Sequence, residues 1–310
     1  MHSFPPNRLP VPLFATLQDY GERLGDAAFW APSVAEALAR HGLPQGKPEA
    51  GRLGTFPTFL VGSYVVKFFG ERFSGGVCHE IERSLHRRFL LHPEIPAPSL
   101  IAEGALSREG WPWPYLITSR MAGSAWRHVA LQPVEQERLA VQIGTIVRSV
   151  HDLPPPDGPF WQRDPLADLR ADCSARHRQW GTLPRRLVDH IDRFLVEASP
   201  VRRLVHADLH ADHLFVDGGR LVGIIDWGDV LLTDPYYELP ALHLGTFGGS
   251  KRLLKAFLEG YKWEVGADFS RRAMTLTLLH QFNVLGDSAS VDMREVDSLD
   301  DLADLLWDVS

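Results

Sequence analysis

One segment constrains this chain more than any other: Leu204 to Asp229. It holds two short apolar runs, Leu214–Val216 and Leu221–Ile225, separated by Asp217-Gly218-Gly219-Arg220. Paired glycines between apolar runs specify a two-residue hairpin turn. That turn sets Asp217 opposite Arg220 and, by the same register, His213 opposite Ile224. Asp226 lies two residues beyond Ile224 and so shares a face with His213. Diagonal neighbours across a ladder are about 7–8 Å apart, so the two side chains can reach one metal ion between them. Asp208 precedes the first strand and can point to the same place. The segment therefore gathers His206, Asp208, His213 and Asp226 around one hairpin.

The chain ahead of it is β-rich. Residues 13–24 and 33–41 read as helices broken at Pro32, with Ser33 able to cap the second. Phe59–Val61 and Tyr64–Phe69 flank Gly62-Ser63 as a hairpin, residues 78–91 return to helix, and strands are expected near 98–103 and 115–119. Lys67 alternates with Val65 and Phe69, so it is a charge on a mostly apolar strand and needs a partner. Glu80 and Glu82 on the next helix are the candidates. Glu82 is preferred, because Leu85 and Phe89 follow it at helical spacing. After Gly123 the pattern is helical: Leu139, Ile143, Ile146, Val147 and Val150 recur before a Pro154-Pro155-Pro156 stop. Residues 185–198 and most of 239–310 are helical as well. A β-rich front (1–119) and a helical back (120–310) are expected, with the seam near 119–123.

The net charge is −7, which argues against a nucleic-acid footprint. The acid concentrates in residues 287–308, where Arg294 alone opposes eight carboxylates including Asp287 and Asp292. A solvated tail and a cationic small-molecule partner are equally good readings of it. Two cysteines, Cys78 and Cys173, point to a reducing compartment. No signal peptide or long apolar span is visible, so a cytoplasmic protein without membrane contact is expected. There is no G-x-x-x-x-G-K-[ST] or G-x-G-x-x-G loop, which removes P-loop and Rossmann readings. His206, His210 and His213 with Asp208 and Asp212 also offer zinc-type ligands. That reading competes poorly, because no His-Glu-x-x-His helix is present and the front half would be unexplained.

The pattern His206-x-Asp208-x4-His213 followed by Asp226-Trp227-Gly228 resembles the kinase catalytic core. In the form His-Ala-Asp-Leu-His with Ile-Asp-Trp-Gly-Asp it is similar to the aminoglycoside phosphotransferase family. Segments Tyr64–Glu71, Trp111–Tyr115, Ser119–Arg127 and Leu242–Phe247 look like those of hygromycin B 7″-O-kinases. The resemblance implies a two-lobed, protein-kinase-like α+β fold that moves the γ-phosphoryl of ATP to a hydroxyl of an aminoglycoside or aminocyclitol. By resemblance, Asp208 orients the hydroxyl and accepts its proton, and Asp226 binds Mg²⁺. His213 stands where the family has an asparagine metal ligand, which opens Mn²⁺ as an alternative ion. Lys67 with Glu82 would hold the α- and β-phosphates, Thr55 in the loop Gly54–Thr58 would lie over them, and the backbone at Ser119 and Met121 would meet adenine. Asp229, Asp234 and Glu238 would hold the acceptor's ammonium groups. A monomer is expected. Two rival readings share the nucleotide half: a kinase for a small hydroxylated metabolite, and a pseudokinase in which His213 marks lost metal chemistry.

Overall fold

The computed structural model describes residues 14, 16–52, 54–106, 111–287 and 291–309. Its contacts divide into two compact units, Met1–Pro93 with Ala97–Met121, and Glu94–Pro96 with Ala122–Ser310.

The first unit opens with α1 (Leu17–Arg23) and α2 (Ala27–Arg40). Residues 13 and 15 of the expected first helix lie outside the described residues. The break between the helices falls at Asp26, whose carboxylate accepts the Phe29 N–H and caps α2. Pro32 was expected at that break and instead lies inside α2, with Ser33 buried in the helix rather than capping it. An interior proline costs about 3 kcal/mol. Full burial of a large apolar side chain returns roughly 1.5–3 kcal/mol, and Trp30, Val34 and Leu38 all bury here.

Strands β1 (Glu49–Ala50), β2 (Thr58–Val61) and β3 (Tyr64–Phe68) lead to α3 (Gly75–Phe89), then β4 (Leu100–Ala105) and β5 (Pro114–Ser119). They form one antiparallel sheet in the order β1-β2-β3-β5-β4. Alternation along β3 gives the sheet two different faces. Val66 and Phe68 join the cluster under α2, where Trp30 stacks on Phe68 at 5.1 Å. Lys67, between them, turns to the α3 side.

The second unit runs β6 (Ser124–Ala125), α4 (Pro133–His151), α5 (Pro165–Ala171), α6 (Cys173–Trp180), α7 (Arg185–Val188) and α8 (Ile191–Phe194). The single helix expected over 185–198 is broken at Asp189-His190, so that Leu187, Val188, Ile191 and Phe194 all turn inward. Then come β7 (Arg203–Val205), β8 (Leu214–Asp217), β9 (Arg220–Ile224) and β10 (Leu231–Thr233), a π-helical turn (Ala241–Thr246), α9 (Lys251–Tyr261), α10 (Phe269–Leu279) and α11 (Leu299–Trp307). The last part of the acidic end, α11, is a docked helix. Leu302, Leu306 and Trp307 of α11 are buried, and Asp300 pairs with Arg271 on its outer side. The Asp287 side chain lies outside the described residues. Among the described residues no helix is long and apolar enough to cross a membrane.

Helices α4 and α9 meet through glycine. A Cβ on Gly144 would stand 2.2 Å from the Phe257 carbonyl oxygen, and one on Gly260 would stand 2.1 Å from that of Val141. Both obstacles are backbone, so no rotamer change relieves them. Gly144→Ala should destabilise the protein by about 1–3 kcal/mol. Gly21→Ala in α1, where nothing lies within 4 Å, should be neutral or stabilising by about 0.5–1 kcal/mol. Urea unfolding of both variants checks the contrast.

Candidate active site

Strand β7 delivers the chain into His206-Ala207-Asp208, and the backbone there is unusual. Ala207 sits at φ +67° and Asp226 at φ +65°, both left-handed without being glycine. Each such residue costs about 1–2 kcal/mol, so neighbours must hold it. Glu238, 1% exposed, accepts the N–H of His206 at 2.9 Å and of Ala207 at 3.3 Å. His280 Nε2 donates to the Ala207 carbonyl at 3.1 Å, while its Nδ1 accepts the Phe282 N–H at 3.2 Å. Burial pushes the His280 imidazole down to about 4, so it stays neutral and its tautomer is fixed. His206 spans the two strained turns: Nδ1 accepts the Asp208 N–H at 3.3 Å and Nε2 donates to the Ile225 carbonyl at 3.0 Å.

This scaffold carries a compact polar group. Asp208 Oδ2 lies 3.5 Å from His210 Nε2 and 3.6 Å from His213 Nδ1, and His213 Nε2 lies 3.4 Å from Asp226 Oδ2. The His210 and His213 rings sit 3.8 Å apart. Burial raises the Asp208 carboxyl, but the hydrogen bond from His210 and the nearby imidazoles outweigh it, and the net shift is below the usual carboxylate range. Burial also pushes the His213 imidazole below its ordinary value, against the pull of Asp226 and Asp208. Asp212, with no exposed side-chain surface, is gripped by Arg127 through both oxygens at 2.9 and 3.0 Å.

The hairpin differs from its expected register by one residue. Asp217 does face Arg220, and Gly218 and Gly219 adopt the positive φ the turn requires. A bulge at Val222 then sets Leu214, rather than His213, opposite Ile224. His213 therefore meets the start of the Asp226 turn directly, its carbonyl accepting the Ile225 N–H at 3.0 Å. Across that turn the His213 and Asp226 side chains come within 3.4 Å.

Hydrogen-bond logic tests whether a cation fits here. His213 Nδ1 lies 2.8 Å from the Asp208 carbonyl, which only accepts, so the ring proton is on Nδ1. Nε2 of the neutral ring is then an acceptor facing a carboxylate oxygen. Two acceptors at 3.4 Å suit a cation between them, so Asp226 and His213 fit Mg²⁺ or Mn²⁺, the imidazole favouring the latter.

In the first unit Lys67 Nζ pairs with Glu82 at 2.7 Å, and the pair is nearly enclosed. The ammonium also lies over the Phe69 and Phe56 rings, at 5.2 and 5.7 Å. Glu80 faces outward to Arg83. Thr55 is exposed, and its carbonyl accepts the Tyr20 hydroxyl at 2.7 Å. Ser119 ends β5 opposite Tyr64, its hydroxyl accepting the Ser99 N–H at 2.9 Å. Met121 follows, half-buried, at the end of the unit.

Two of the three acids expected to hold ammonium groups do not face outward. Asp234 is 1% exposed, with its oxygens taken by the N–H groups of Ser199 and Tyr236 and by Arg272. Glu238 is the loop clamp described above. Glu238 is consumed by backbone donors that no spacing in the sequence announces, whereas Asp234, just before Pro235, also caps the Tyr236 N–H of its own turn. Asp229 is half-buried in the turn after Asp226. No sequence spacing announces the roles of His280, or of His151 behind Glu238 at 3.2 Å.

Comparison with known proteins identifies the family and the fold. The model of the phosphotransferase enzyme family, APH, matches residues 52–274. Among curated proteins, the chain is 26% identical over 286 residues to the lysine-specific demethylase JMJ21 of Arabidopsis thaliana, covering 68% of this chain and 30% of that protein. It is 33% identical over 52 residues to the hygromycin-B 4-O-kinase of Escherichia coli, covering 17% and 15%. The chain thus spans less than a third of the length of either relative. Solved structures share the fold. A GDP and kanamycin complex of an APH(2″) enzyme has TM-score 0.62 at 18% identity, covering 82% of this chain and 90% of that one. An aminoglycoside phosphotransferase from Streptomyces rimosus has TM-score 0.59 at 19%, covering 82% and 97%. Macrolide 2'-phosphotransferase type I has TM-score 0.56 at 18%, covering 82% and 88%. With the family match spanning well over half of its residues, and with the two-lobed kinase-like α+β fold in place, the chain belongs to the phosphotransferase enzyme family.

Proposed function

We propose that this phosphotransferase moves the γ-phosphoryl of ATP to a hydroxyl of an aminoglycoside or aminocyclitol, with hygromycin B the first acceptor to test. The observation that supports it most is Asp208, a carboxylate kept ionised by its imidazole neighbours on a clamped loop. An ionised carboxylate accepts the hydrogen bond of the acceptor hydroxyl and aims its oxygen. As the new oxygen–phosphorus bond forms, the hydroxyl proton passes to Asp208 and the bond from the γ-phosphorus to its bridging oxygen breaks, releasing ADP. A carboxylate of lowered pKa is a weak base, which suits a reaction whose loose transition state asks mainly for positioning. Lys67, fixed by Glu82, would hold the α- and β-phosphates. Asp226 and His213 would hold Mg²⁺ or Mn²⁺, which when bound neutralises phosphate charge. Asp229 remains the candidate for an acceptor ammonium group.

The names of the similar proteins favour an antibiotic acceptor over a general metabolite: kanamycin, macrolide and hygromycin B all occur in them. The curated relative is named for the 4-hydroxyl of hygromycin B, whereas the sequence resemblance points to 7″, so both positions belong in the product analysis.

Asp208→Asn should lower kcat by about 10²–10⁴-fold while ATP still binds. Near-wild-type turnover, followed by coupled ADP release, would remove Asp208 from this role.

His213 makes a separate expectation. Its imidazole is pushed below the ordinary 6.5 by burial, so it is neutral and able to ligate at pH 6.5 and above. The acid limb of kcat with Mn²⁺ should have its midpoint below pH 6.5. His213→Asn should move metal preference toward Mg²⁺ by about 10-fold or more. Steady-state kinetics with both ions across pH checks this. A half-maximal point at or above 6.5, or an unchanged metal ratio in the variant, would deny His213 direct ligation.

A further inference from the structure

The loop after β7 carries five metal-type side chains within eight residues, and the fold sorts them. His206 uses both ring nitrogens on backbone, at Ile225 and Asp208. Asp212 gives both oxygens to the Arg127 fork. The other three converge: one ligand atom from each of Asp208, His210 and His213 lies within 4.8 Å of the other two. We propose that Asp208, His210 and His213 form a binding site for a borderline transition-metal ion of the Zn²⁺ class, and that its occupation shuts off the enzyme.

The distances suit such an ion. Asp208 Oδ2 and His210 Nε2 are 3.5 Å apart. Two ligands on a tetrahedral ion with bonds of about 2.0–2.1 Å stand about 3.3–3.4 Å apart. The donor set suits it too. Two imidazoles and one carboxylate, leaving a position for water, match the softer late divalent ions and serve Mg²⁺ poorly.

The outer partners are also in place. Metal-bound histidines commonly anchor their second nitrogen on a carboxylate or carbonyl, which fixes the ring and its tautomer. His213 Nδ1 is held by the Asp208 carbonyl at 2.8 Å. His210 Nδ1 accepts the Asp212 N–H at 3.3 Å and lies 3.4 Å from Asp212 Oδ2. A cation at Nε2 requires the ring proton to move to Nδ1, where Asp212 Oδ2 accepts it in place of the contact with the Asp212 N–H. Arg127 in turn keeps Asp212 in place. The site is reachable, since the His210 side chain is 31% exposed and that of Asp208 19%.

The ion would engage the carboxylate that is proposed to take the hydroxyl proton, and would draw His213 away from Asp226. Inhibition therefore rests on the reading of Asp208 given above. Binding does not, and the test keeps the two apart. The full chain without an affinity tag or nucleotide is titrated with Zn²⁺ against a chromophoric chelator, and with Co²⁺ to read its visible absorption. One tight site per chain is expected, with the intense Co²⁺ bands of a four-coordinate ion. His210→Ala should weaken Zn²⁺ binding by about 10-fold or more and abolish those bands. His210 is at the solvent edge, and thermal unfolding verifies that the variant is folded. The Zn²⁺ concentration that halves ATP turnover should rise by the same factor in His210→Ala. Equal Zn²⁺ affinity in the two proteins, or weak octahedral Co²⁺ bands in the wild type, would overturn the site whether or not the acceptor assignment stands.

Discussion

The Glu238 carboxylate is the interaction on which the site depends. It is buried in the second unit and accepts the N–H groups of His206 and Ala207. His151 Nε2 adds a third donor at 3.2 Å, while His151 Nδ1 faces the Tyr261 hydroxyl at 2.9 Å. A buried carboxylate without partners would cost several kcal/mol. Supplied with three donors, it makes strong, short-range bonds. These bonds hold Ala207 in a left-handed turn that an alanine would otherwise leave. His280 holds the same residue from its carbonyl side. The turn places Asp208 beside His210 and His213 and not along the strand direction.

From that constraint the electrostatics follow. Imidazoles surround the two carboxylates, and each ring is held by at least one backbone or carboxylate contact. His206 and His280 are spacers with both nitrogens committed to the main chain. His213 commits one nitrogen and turns the other to Asp226. His210 keeps a solvent-facing edge. Closely similar residue types thus take structural, metal-facing and solvent-facing positions, according to how many of their nitrogens the backbone consumes. In the first unit Lys67 is handled in parallel fashion: Glu82 satisfies its charge, and Phe56 and Phe69 wall it in.

Much of this is legible in the sequence because it is local. Paired glycines fix the turn at 218–219. Alternation along Tyr64–Phe69 isolates Lys67, and helical spacing separates Glu82 from Glu80. The fold class follows from a β-rich front, a helical back and the His-x-Asp pattern. The remainder depends on contacts distant in the chain. Glu238 and Asp234 read as acids for an acceptor's ammonium groups, because nothing near them in the chain reveals the N–H groups of His206 and Ser199, thirty or more residues away, that they serve. The bulge at Val222 shifts the hairpin by one residue without altering its apolar pattern. Pro32 marks a break by its chemistry, yet the burial of Trp30 and Leu38 keeps its helix intact. The acidic end reads equally as a solvated tail or as a partner for a cation, and its charge does not reveal that Leu302, Leu306 and Trp307 dock.

The central claim is that a buried carboxylate positions the reacting loop, and Glu238→Gln tests it most directly. The amide keeps the size but turns one acceptor into a donor facing backbone N–H groups. Misplacement of a reacting group by about 1 Å can cost on the order of 100-fold. Stopped-flow or steady-state turnover should show kcat lowered by about 10- to 100-fold in the folded variant. The dissociation constant for ATP should be unchanged, since Lys67 and Glu82 belong to the other unit. A folded Glu238→Gln protein with wild-type kcat would contradict the account.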